Sequence, residues 1–97
     1  MLDRTKMDVS DRVALLVARI MGKRGIVAVV GHGDDLRACG LSSLETVNLM
    51  LSVEVEFGVK IPERQMIPAN FRSIARIAEL VRALLRTTVL TDQGVNA

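Results

Sequence analysis

Gly40-Leu41-Ser42-Ser43-Leu44-Glu45-Thr46-Val47 is the stretch that decides the fold of this chain. Ser42 followed three residues later by Glu45 spells an S-x-x-E capping box, in which each side chain accepts the other residue's backbone N–H. The stretch therefore predicts the start of a helix, and the pattern carries it to Phe57. A cap needs one serine, and two stand here. With Ser42 as cap, Ser43 is the first helical residue. Its hydroxyl can then point outward, beside the unpaired N–H groups and the positive end of the helix dipole. Such a place suits a phosphate ester. The plainer reading makes both serines helix-start residues, and local chemistry alone favours it because such boxes are common.

The helix carries two apolar stripes. Thr46, Leu49, Met50, Val53 and Phe57 recur at offsets fit for a core face. Leu44, Val47, Leu51 and Val55 repeat the same spacing on another side. A helix apolar on two sides is deeply buried or presents one stripe to partners. Full burial is difficult in a small bundle. The second stripe begins beside Ser43, and Glu45, Glu54 and Glu56 add negative charge around it. The competing reading packs this stripe against neighbouring loops.

Upstream, Asp8 or Ser10 can cap a first helix to about Met21, with Val13, Leu16, Val17 and Ile20 inward and Arg12 and Arg19 off that face. Gly22 and Gly25 end it. Residues 22–42 form a long connection. Its apolar run Ile26–Val30 reads as a loop over the bundle, because no second strand pattern exists to pair with it. Downstream, Gly58 stops the central helix. Pro62 can begin a short helical turn to about Ile67. Asn70 is a plausible cap for a last helix from about Phe71 to Arg86, with Phe71, Ile74, Ala78, Val81 and Leu85 inward. The expected organisation is a flexible N-terminus at 1–7, one domain at 8–86 and a flexible tail at 87–97.

Ninety-seven residues suit one small domain. The chain lacks Trp and Tyr and has two Phe, so the core must be aliphatic. The net charge of +2 hides a partition. Residues 34–56 hold five acids and one base, whereas the stretches on either side each hold six bases and three acids. The bases are dispersed and lack interleaved aromatics, so they read mainly as solvated helix faces and not as a nucleic-acid surface. No apolar run approaches the ~18 residues of a membrane span. A lone Cys39 cannot form an internal disulfide and reads as a small buried residue. A cytoplasmic monomer is the simplest expectation.

One His and one Cys make no metal cluster. Gly31-His32-Gly33 lacks the lysine and the strand-to-helix context of a phosphate loop, and His32 reads as an exposed loop residue. No base is identifiable for a nucleophilic serine. The expectation is a protein that is not itself an enzyme.

Leu36, Gly40-Leu41-Ser42-Ser43-Leu44, the helix end Glu54-Val55-Glu56-Phe57-Gly58-Val59 and then Ile61-Pro62 together resemble an acyl carrier protein. The resemblance covers roughly residues 8–85. It implies an all-α, four-helix acyl-carrier-type bundle with a short third helix and a long first loop. It also implies that Ser43 carries a 4'-phosphopantetheine arm, transferred from coenzyme A by a separate phosphopantetheinyl transferase, whose thiol holds a thioester cargo. The partner face implied is Leu44, Val47, Asn48, Leu51, Glu54 and Val55.

Ser42 stands where the family usually has Asp, Asn48 where many carriers have Glu, and the pI near 9.2 is high for a carrier. Gly40–Leu44, Val47-Asn48-Leu49-Met50-Leu51 and Phe71-Arg72-Ser73-Ile74 look more like stand-alone aminoacyl carriers of rhizobial-type bacteria. That likeness implies glycine or alanine as cargo, loaded by an amino acid:carrier protein ligase similar to the core of seryl-tRNA synthetases. Large side chains at Leu49, Met50 and Phe57, with no small residue to open a tunnel, point weakly the same way. The alternatives are a carrier loaded by a fatty-acid, polyketide or peptide synthase, and an unmodified helical adaptor.

Overall fold

In the computed structural model the backbone is described for residues 7–23, 25 and 30–95, and the side chains as far as residue 87. The described residues form three α-helices: α1 at Val9–Gly22, α2 at Ser43–Phe57 and α3 at Ile74–Val95. Two 3-10 turns, Glu63–Gln65 and Pro68–Phe71, join α2 to α3. The described residues contain no strand. Helix α1 packs on both α2 and α3. The expected Ile26–Val30 loop falls mostly outside the described residues; Val30 packs partly buried against the core.

The periodicity of each helix decides what it buries. Val13, Leu16, Val17, Ile20 and Met21 of α1 are inside, as are Thr46, Leu49, Met50, Val53 and Phe57 of α2. Phe71, Ile74, Ile77, Ala78 and Val81 complete an aliphatic core with two phenylalanines. The α2 stop is a backbone device. Gly58 adopts φ 63°, ψ 37°, a left-handed conformation costly for a residue with a Cβ, and its N–H returns to the Glu54 carbonyl.

Several details depart from the sequence expectations. The short third helix shrinks to the 3-10 turn Glu63–Gln65, and a second 3-10 turn, Pro68–Phe71, precedes α3. Pro68 disfavours a helical Ile67, which sits extended at φ −118°, ψ 149° and breaks the segment in two. Asn70 does not cap α3; it lies in the second turn and donates its amide to the Gln65 carbonyl at 2.9 Å. Ser73 takes the capping position, its Oγ accepting the Arg76 N–H at 3.2 Å. Helix α3 continues past Arg86 to Val95. Thr87 fits into it by donating its hydroxyl to the Ala83 carbonyl at 2.9 Å. Asp8 stands at the N-cap position of α1 without capping it through its side chain. Its carboxylate instead accepts from Arg82 of α3 at 3.0 Å, and that bond holds the carboxyl below its ordinary pKa.

Arg12 also departs from its expected place on a solvated face. Its Nε donates to the Glu56 carboxylate at 3.0 Å and Nη2 to the Glu56 carbonyl at 2.9 Å. The guanidinium lies 4.4 Å from the Phe57 ring centroid. This contact ties the first turn of α1 to the end of α2. Cys39 is half-buried, not fully enclosed.

Candidate functional site

The capping box is formed on both sides. Ser42 Oγ accepts the Glu45 N–H at 3.1 Å, and Glu45 Oε1 accepts the Ser42 N–H at 2.9 Å. Ser42 is thereby spent on the helix start. Ser43 is left as the first residue of α2, exposed, at the end where backbone N–H groups and the dipole favour negative charge.

The approach to Ser43 is rigid. Leu36 and Leu41 are buried and anchor the connection from beneath. The Leu36 N–H donates to the Arg72 carbonyl at 2.8 Å, and the Leu41 N–H donates to the Leu36 carbonyl at 2.9 Å. The His32 carbonyl accepts the Ala75 N–H at 2.8 Å, so the connection is pinned to the first turn of α3. His32 itself is exposed.

Arg37, which the sequence reading did not single out, reaches Ser43. Its Nη2 donates to Ser43 Oγ at 2.8 Å. A guanidinium stays protonated and cannot accept a proton, so this contact does not activate Ser43 as a nucleophile. Esterifying this hydroxyl therefore needs a base brought by the modifying enzyme. The surroundings fit a phosphodiester on Ser43: a helix start and a guanidinium face the oxygen, and no carboxylate is bonded to it among the described residues. The one base of the 34–56 stretch was the available sequence signal for Arg37.

A half-open groove of about 590 Å³ lies beside Ser43, between α2 and the 3-10 turns. Met50, Met66 and Phe71 give it an apolar lining, and Arg37 and Arg72 also border it. This groove opens at the surface and is a different feature from a tunnel through the core stripe. The space arises from how residues 66–72 lie against α2, not from a small residue in the stripe.

The outer stripe of α2 is open to solvent. Leu44 is 78% exposed, Val47 49%, Leu51 52% and Val55 85%, and Asn48 is exposed between them. Glu54 differs from these. It is half-buried, and its carboxylate accepts the Ile61 N–H at 2.7 Å, which closes the turn after α2. Glu45 serves the cap and Glu56 pairs with Arg12. The three glutamates expected to charge the partner face all have work inside the fold. No three His, Cys, Asp or Glu among the described residues are grouped to hold a metal ion. No helix among them is long and apolar enough to cross a membrane.

Comparison with known proteins gives consistent findings. Residues 11–81 match the family model described as phosphopantetheine attachment site. The chain is 37% identical over 79 residues to aminoacyl carrier protein 1 of Bradyrhizobium diazoefficiens, covering 81% of this chain and 88% of that protein. It is 34% identical over 80 residues to aminoacyl carrier protein 2 of the same organism, covering 82% and 90%. Among solved structures it is similar to a chain in the crystal structure of Bradyrhizobium japonicum glycine:[carrier protein] ligase complexed with its cognate carrier protein and an analogue of glycyl adenylate. There the TM-score is 0.67 at 37% identity, covering 78% of this chain and 99% of that one.

Proposed function

The chain belongs to the phosphopantetheine-attachment family of carrier proteins, and we propose that Ser43 bears its arm and that the cargo is a small amino acid, glycine or alanine. The arm's terminal thiol supplies the thioester that holds such a cargo. The chain's own residues present and address the arm. Ser42 and Glu45 fix the helix start, Leu36 and Leu41 anchor the approach, and Ser43 Oγ is left accessible to a transferase.

The exposed stripe Leu44, Val47, Leu51 and Val55, with Asn48, forms the docking face for the charging ligase. It begins next to Ser43, so a docked enzyme meets the arm at its root. Glu54 sits at the far end of this face with its carboxylate turned to the turn after α2. Residues 8–86 form the working unit, with 1–7 and 87–97 flanking it; the family match at 11–81 lies within these limits. The protein acts as a monomer in the cytoplasm and as the substrate of loading, not its catalyst. The advantage of the tether is a high effective concentration of cargo near each docked partner.

The observation that carries the amino acid reading is the likeness, at 37% identity, to a chain solved with a glycine:[carrier protein] ligase. The test uses holo protein, ATP, glycine and an aminoacyl-carrier ligase. A glycyl mass gain that neutral hydroxylamine removes is expected. The groove of about 590 Å³ favours a second reading, a longer acyl cargo sheltered beside Met50, Met66 and Phe71. Loading by a fatty-acid synthase with no aminoacylation would replace the first reading with the second.

A further inference from the structure

We propose that Arg37 is a second residue of the attachment site: the counter-ion of the arm's phosphodiester, holding the root of the arm at the mouth of the groove. This rests on the reading of Ser43 as the attachment residue. Arg37 is the only base among residues 34–56, which hold five acids. That one base lies on the one hydroxyl of interest, 2.8 Å from Ser43 Oγ.

Its backbone is fixed independently of that contact. The Arg37 N–H donates to Asp35 Oδ1 at 3.0 Å, as does the Ala38 N–H at 3.4 Å, and the Arg37 carbonyl accepts the Gly40 N–H at 3.1 Å. Leu36, next to it, is fully buried. The side chain therefore starts from a hydrogen-bonded turn, so taking a ligand costs side-chain freedom but no ordering of the backbone.

The chemistry of the pair is unbalanced without a phosphate. A guanidinium offers five N–H donors in a planar fork matched to phosphate oxygens, and Ser43 Oγ accepts from one of its nitrogens. Esterifying Ser43 Oγ puts an anionic phosphorus group directly on the atom that Arg37 already touches. The guanidinium can then exchange a neutral contact for a charge-assisted one. Arg72 and Asp35 also border the groove, so two guanidinium groups stand there against one carboxylate. Asp35, the carboxylate nearest in sequence, has one oxygen taken up by two backbone N–H groups.

The test starts from apo and holo wild type and holo Arg37→Gln, with intact mass confirming one arm on each holo sample. The readouts are the 31P resonance of the phosphodiester and the 15N–1H resonance of the Arg37 side chain, at low and high chloride. Arg37 is expected to shift between apo and holo wild type. The 31P line of Arg37→Gln is expected to move toward that of the same phosphodiester in urea-unfolded holo protein, and high chloride to move the wild-type line the same way. If Arg37→Gln resists modification, the wild-type apo–holo and chloride series decides alone. An unmoved Arg37 resonance with a chloride-insensitive 31P line would overturn the proposal. A wild-type protein that takes no arm would instead overturn the Ser43 assignment beneath it, so the two failures are distinct.

Discussion

Leu49 and Leu51 are two residues apart on α2 and face opposite environments. Leu49 is 0% exposed and Leu51 52%. Leu49→Ala removes buried methyl groups from a packed core and should cost about 2–5 kcal/mol. Small domains are stable by only ~5–15 kcal/mol, so much of the total is lost. At ~4–8 °C per kcal/mol for a chain of this size, the Tm should fall by roughly 8–40 °C. Leu51 already has half of its surface in water, and Leu51→Ala should cost under about 1 kcal/mol. The chain has no Trp or Tyr, so far-UV circular dichroism in urea is the suitable probe. An unchanged urea slope would show that both variants unfold from the same compact state. Loading of the holo forms by an aminoacyl-carrier ligase gives the second axis. Leu51→Ala should load several-fold more slowly at near-native stability. Equal destabilisation by the two changes, or wild-type loading of Leu51→Ala, would refute the division of α2 into a core stripe and a docking stripe.

Other consequences are separately measurable. Gly58→Ala meets no atom within 4 Å of the new Cβ, so its cost is the left-handed backbone alone, roughly 1–2 kcal/mol in urea unfolding. Ser42→Ala removes the cap and should cost about 0.5–2 kcal/mol while Ser43 still accepts the arm, as intact mass would report. The Asp8 carboxyl is held below its ordinary value of 3.8, chiefly by the hydrogen bond from Arg82. A lowered folded pKa contributes stability that is present above the unfolded pKa and is lost as pH falls through the folded one. Asp8→Asn should therefore lower the Tm at pH 7, and its gap to wild type should close as the pH falls below about 4.

Sequence periodicity revealed most of what positions the site. The two stripes of α2 separate in the structure as their spacing requires, because one helix can bury only one side in a small bundle. The capping box forms because its partners are three residues apart and need no tertiary help. Elements that depend on distant residues were less visible. Arg12 reaches Glu56 and Phe57 across 44 and 45 positions, which no local pattern encodes. Asn70 and Ser73 are both of types that favour helix starts, and the turn that Pro68 and the buried Phe71 impose leaves the cap to Ser73. Glu54 reads as a surface charge in sequence because the Ile61 N–H that it accepts lies seven positions on, beyond the Gly58 turn. The groove depends on how residues 66–72 lie against α2, so core side-chain sizes alone did not reveal it. Arg37 was countable as the one base in an acidic stretch, but only the folded loop brings it to Ser43.

Intact mass after reaction with coenzyme A and a phosphopantetheinyl transferase tests the central claim most directly. Wild type and Ser42→Ala should each gain a single phosphopantetheinyl group, and Ser43→Ala none. A phosphopantetheinyl group on Ser43→Ala, or a wild-type protein that takes none, would contradict the account.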